Sequence, residues 1–171
     1  MKKWLMLVVA ALMLTACGDK EETKKEETTK DETLVGFELT GDEVEEAPDV
    51  PKEDEEQIIA AFNEYIYSFN AKDIDRYTQT LSKNPQGFEY EEDVAAAKNA
   101  FAQYNIERTP SDVTIVKYSE DEAQVFSNLE IQMTEIETNA ELTSSGRQVT
   151  VFTNENGGWK VTSVYYIGND S

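Results

Sequence analysis

Apolar residues recur every three or four positions from Ile58 to Phe101, and every second position from Val113 to Ile167. The first spacing lines one face of a helix and the second lines one face of a strand. Because every helical signal precedes every strand signal, the chain has no alternating strand–helix–strand units from which to build a parallel sheet. Helices gathered on one side of an antiparallel meander remain, which is an α+β arrangement.

The helical part divides into three. Residues 55–70, EEQIIAAFNEYIYSFN, place Ile58, Phe62, Tyr65, Ile66 and Phe69 on one stripe. Glu55 and Glu56 suit its first turn, where the helix dipole favours acids. Asp73 is positioned to cap a second helix over 73–82 with Ile74, Tyr77 and Leu81 inward, and the turn residues Asn84-Pro85-Gln86-Gly87 end it. A third helix follows Glu89–Asp93, its inner stripe formed by Val94, Ala97, Phe101 and Tyr104.

The strands then read as 112–119, 123–134, 147–153 and 159–168. Ala123, Val125, Leu129, Ile131 and Met133 share one face of the second. Asn154-Glu155-Asn156-Gly157-Gly158 between two alternating runs is a hairpin signal. The expected fold is three N-terminal helices packed on a curved antiparallel sheet of about four strands. This order, with FNEYIYSFNAKDIDRY near its start and GGWKVTSV in its last hairpin, resembles the nuclear transport factor 2-like superfamily. The resemblance implies a cone whose helices cover a strongly curved sheet. It does not imply one activity, because isomerases, dehydratases, cyclases and non-enzymatic binding modules share the shape.

Ahead of this domain the chain has a different character. Lys2 and Lys3 precede an apolar run from Trp4 to Leu14, well short of the roughly 20 residues needed to span a bilayer. Leu14-Thr15-Ala16-Cys17 follows, and Cys17 is the only cysteine. The pattern is that of a secretory signal and resembles the bacterial lipoprotein signal. That resemblance implies removal of residues 1–16, acylation of Cys17, and a lipid-anchored protein on the extracytoplasmic face of a membrane. Residues 17–54 then form an acidic tether, expected to be disordered, and the folded domain is expected over 55–171. Within the tether, Val35, Phe37 and Leu39 alternate, either as a strand docked on the domain or as a solvated patch.

The chemistry available is restricted. Histidine is absent and the domain has no cysteine, which removes the commonest general base and the usual zinc ligands. Asp73 and Asp75, and likewise Glu91, Glu92 and Asp93, are explained by helix N-termini. Glu120, Asp121 and Glu122 lack the glycine and spaced ligands of a calcium loop. A formal net charge of −20, without a basic patch, argues against nucleic acid. Tyrosines stand out instead: Tyr65, Tyr77 and Tyr104, with Trp159 opposite, either line a cavity or fill a core. The expectation is a non-catalytic module without a cofactor, bound to the bilayer through Cys17. Its partner would be an envelope protein, a peptide or a small apolar ligand. The alternative is a lyase or isomerase working through tyrosine and a carboxylate in the cone.

Overall fold

The computed structural model describes residues 44–169. The expected signal segment, Cys17 and the alternating residues 34–39 lie outside them. Three helices, α1 (Lys52–Asn70), α2 (Ile74–Thr80) and α3 (Tyr90–Gln103), precede four strands, β1 (Tyr104–Tyr118), β2 (Glu122–Glu135), β3 (Glu141–Glu155) and β4 (Gly158–Gly168). The strands form one antiparallel meander in the order β1-β2-β3-β4. No helix among the described residues is long and apolar enough to cross a membrane.

All five residues of the α1 stripe are buried, Ile58 and Phe62 completely. Glu53, Asp54 and Glu55 occupy its first turn, as the dipole favours. The helix stops where Lys72 adopts a left-handed backbone, φ 55°, and its N–H returns to the Phe69 carbonyl. Asp73 caps α2, its Oδ1 accepting from the Arg76 N–H at 3.1 Å.

The expected domain start at residue 55 falls within the first turn of α1, and packing begins earlier still. Ala47 is buried and donates its N–H to the Ile115 carbonyl on the open side of β1 at 2.7 Å. Val50 packs on the main core. Tyr118 at the end of β1 hydrogen-bonds Asp54 of α1.

The sheet bends where its register slips. Shifts lie between Ser111 and Thr114 and between Ile115 and Lys117 along β1, and a third falls between Val151 and Phe152 opposite β4. Such bulges bend the bulged strand and increase its twist. The last hairpin turns on Asn156 and Gly157, at φ 55° and 83°, the pair of positive values that a two-residue type I′ turn requires.

The inner sheet face contributes Ile115, Ala123, Val125, Phe152, Trp159 and Val161 to the core beneath the helices. Of the β2 residues expected inward, Ala123, Val125 and Leu129 are buried, whereas Ile131 and Met133 are only half-buried. The opposite face carries a smaller cluster of Phe126, Val149 and Val151, with Val44, Val116 and Tyr165 against it.

The third helix is one residue shorter than its apolar stripe suggests. Tyr104 is the first residue of β1, paired with Glu135, and no loop separates it from Gln103. The junction is held by the Gln103 carbonyl, which accepts from the Ile136 N–H at 2.8 Å.

Candidate functional site

A cavity of about 390 Å³ lies between the helices and the inner sheet face. All three helices, the sheet and the α2–α3 connection line it. Tyr65 and Phe69 come from successive turns of α1, and Tyr77 from α2. Asp93, Ala96, Ala97 and Ala100 come from α3, and Arg108 and Val164 from the sheet. Gly87 and Phe88 of the α2–α3 connection complete it.

Local rules explain why each wall stands where it does. Residues 65 and 69 are one helical turn apart and share a face. The three alanines of α3 leave space where larger side chains would fill the cavity. Gly87 sits so close to β4 that an added Cβ would fall 2.6 Å from Ser163 Oγ and 3.1 Å from the Ser163 Cα. The Gln86 and Gly87 N–H groups both donate to the Thr162 carbonyl, at 2.9 and 3.0 Å. This pins Phe88 at the cavity wall. Arg108 is fixed through its backbone: its N–H donates to Asn70 Oδ1 at 3.0 Å, and its carbonyl accepts from Asn70 Nδ2 at 2.9 Å.

The aromatic rings form a continuous surface. Tyr65 and Tyr77 have centroids 5.7 Å apart, and Phe69 meets Tyr77 edge-on at 5.4 Å, within the range of favourable ring pairs. The Arg108 guanidinium lies over Phe69, 3.5 Å from its centroid, and Nη1 donates to Tyr65 Oη at 3.4 Å. Tyr77 Oη donates to Asp93 Oδ2 at 2.9 Å. Burial, reinforced by the neighbouring Tyr65 and Asp93, holds the Tyr77 hydroxyl well above the ordinary tyrosine range, so it stays protonated.

Burial also raises Asp93 above the ordinary 3.8, outweighing the Tyr77 hydrogen bond and the Arg108 charge, both of which act the other way. A carboxyl raised in the fold favours folding while it is protonated, below 3.8, and that benefit is lost as pH rises through the raised value. Asp93→Asn keeps an oxygen for Tyr77 and cannot ionise. It should therefore melt higher than the parent at pH 7, with the difference closing below pH 3.8. Thermal melts across that range check this, and an equal or lower Tm for the variant at pH 7 contradicts it.

Of the residues expected at a site, Tyr65 and Tyr77 line the cavity. Tyr104 does not: as the start of β1 it has left the α3 face that was to carry it inward. Trp159 does not either; it is buried in the main core, its ring 6.4 Å from Tyr118. Asp93 does occupy a helix first turn, yet it also faces the cavity, which its position in the sequence did not disclose. Arg108 falls in a stretch read as a connection before the first strand. The available signal was its two-residue spacing from Ile106 and Pro110, on the face of β1 that pairs with Met133, Ile131 and Leu129 of β2.

Solved structures share this architecture. A nuclear transport factor 2-like superfamily protein from Salmonella enterica serovar Typhimurium LT2 superposes with a TM-score of 0.61 at 15% identity, covering 68% of this chain and 91% of that one. A ketosteroid isomerase-like protein from Erwinia carotovora atroseptica gives 0.59 at 19% identity, covering 71% and 100%. A candidate dehydratase of the same superfamily from Streptomyces avermitilis gives 0.61 at 15%, covering 71% and 100%. The fold is thus nuclear transport factor 2-like, as the order of elements implied. No curated protein sequence matches the chain. The family model for the C-terminal domain of the anti-sigma-I factor RsgI9 matches residues 60–167.

Proposed function

The chain belongs to the family of the anti-sigma-I factor RsgI9 C-terminal domain, and on that premise we propose that it is a binding module rather than an enzyme. Its ligand is a small, largely apolar molecule seated in the cavity beneath the helices. The observation that carries this reading is the cavity itself: about 390 Å³, walled by Tyr65, Phe69, Tyr77 and Phe88 and left open by three alanines. Ligand sites are concave, predominantly apolar and aromatic, with a few placed polar groups, and begin at about 300 Å³. Kinship with a domain of a regulator, rather than with an enzyme-named family, supports occupancy over turnover.

The test uses 2-naphthamide, a flat neutral probe, titrated against the full chain by NMR. Saturable shifts in the cavity residues are expected, and Ala96→Trp should abolish them. Ala96 lines the cavity yet is exposed, so the larger side chain blocks the space without entering the core. Binding that survives Ala96→Trp would move the ligand elsewhere.

A second reading is supported by one feature, the Asp93–Tyr77 pair. A half-buried carboxyl with a raised pKa beside a tyrosine suits proton transfer, as the lyase or isomerase alternative requires. Turnover of a bound compound that disappears in Asp93→Asn, with its affinity retained, would establish that reading instead.

In this proposal the module is held at the extracytoplasmic membrane face by acylated Cys17. The support is the Leu14-Thr15-Ala16-Cys17 sequence after a short apolar run. Cys17→Ser should block lipid attachment and impair removal of residues 1–16, both read from the intact mass. An unmodified thiol in the intact mass of membrane-bound native protein would overturn the anchor.

A further inference from the structure

We infer that the cavity selects a monocarboxylate: a small molecule with a flat apolar body whose single carboxylate is held by Arg108. The inference rests on the cavity being the binding site and concerns which ligand it prefers.

Arginine has five N–H donors in a planar fork that matches a carboxylate edge to edge. Among the described residues, the side-chain hydrogen bond that Arg108 makes is the 3.4 Å contact from Nη1 to Tyr65 Oη. The ion pairs among the described residues are Lys52–Glu56, Arg76–Glu64 and Lys117–Glu122, and none involves Arg108. In a chain with 35 acidic residues against 15 basic ones, a half-buried arginine with no ion pair to a carboxylate among the described residues is a notable placement. The nearby acid of the cavity, Asp93, is instead bonded to Tyr77.

The guanidinium is also preorganised. Its central carbon rests over the Phe69 ring, 3.5 Å from the centroid, and the two Asn70 bonds fix the backbone from which it projects. A side chain already held in place loses less freedom when a ligand arrives. The side toward Phe69 is covered, so a ligand is met by the N–H edges. Tyr65 and Tyr77, beside the same arginine, supply the apolar surface for the body of the molecule.

Charge distinguishes a monoanion from a dianion. Arg108 is the one cation among the residues that line the cavity, and Asp93 lines it too, near enough to feel the Arg108 charge. A carboxylate balances that single charge, whereas a phosphate monoester would bring an additional negative charge toward Asp93.

Three probes of one shape test the inference on the full chain: 2-naphthoate, neutral 2-naphthamide and 2-naphthyl phosphate. Naphthoate should bind at least tenfold more tightly than the amide and more tightly than the phosphate, a margin expected for one charge-assisted bidentate contact. Arg108→Met should remove the preference by weakening naphthoate alone. Arg108→Lys, which keeps the charge but not the fork, should retain only part of it. The backbone bonds to Asn70 do not depend on the Arg108 side chain, and unchanged amide binding in both variants reports an intact cavity. Equal binding of naphthoate and amide, each blocked by Ala96→Trp, overturns the carboxylate preference and leaves the cavity reading standing. Phosphate binding as tight as naphthoate overturns the monoanion. Failure of all three to bind overturns both readings.

Discussion

Phe62→Ala should lower the unfolding free energy by about 3–5 kcal/mol, the range for removing a buried aromatic ring. Phe62 is completely buried, in the middle of the α1 stripe and within the main core. It is set between Ile58 one turn before and Ile66 one turn after, both also buried. Truncation therefore removes apolar contact and leaves a void that the flanking turns cannot collapse to fill without bending the helix. Against a typical domain stability of about 5–15 kcal/mol, this is a large fraction, and the variant should melt well below the parent. Urea unfolding followed by circular dichroism measures it. A loss under about 1 kcal/mol would mean that α1 does not seat this face on the sheet.

Trp159→Ala should cost a similar amount, about 3–5 kcal/mol, from the opposite wall of the core. Trp159 is the second residue of β4, pairs with Asn154 across the hairpin, and packs near Tyr118. Its indole Nε1 is buried without a hydrogen-bond partner among the described residues. The side chain thus stabilises the fold through apolar packing alone, and its N–H carries an uncompensated desolvation cost. Trp159→Phe, which removes that donor and part of the volume, should consequently lose much less than Trp159→Ala. If Phe proves as damaging as Ala, the indole N–H is contributing a bond and the packing account fails.

Where local pattern and tertiary packing agreed, the fold was readable. The α1 stripe predicted five buried positions because one helix face determines all five, and Asp73 was identified as a cap because capping is a local bond. The start of β1 was not readable. Glu107 and Arg108 blur its apolar alternation, and Pro110 argues against a central strand. The proline is accommodated because, among the described residues, β1 is an edge strand of the sheet. That misplaced boundary also put Tyr104 on the wrong element. The site was half visible for a related reason. Tyr65 and Tyr77 follow from helix faces, but Asp93 and Arg108 reach the cavity through the packing of α3 and the register of β1. No local period encodes how separate elements meet.

The direct passage from α3 into β1 determines how this cavity is able to breathe. Without a connecting residue at Gln103–Tyr104, there is no hinge there to absorb a swing of the helix. Tilting α3 at that end would strip the Tyr104–Glu135 pairing and the Ile136–Gln103 bond. The alanine wall and Arg108 consequently behave as two arms of one rigid bracket. At the other end of α3, the connection is itself tied to β4, through the Ser82 N–H to the Val161 carbonyl and the Gln86 and Gly87 N–H groups to the Thr162 carbonyl. In the proposed binding module, this bracket would set the length of ligand that fits.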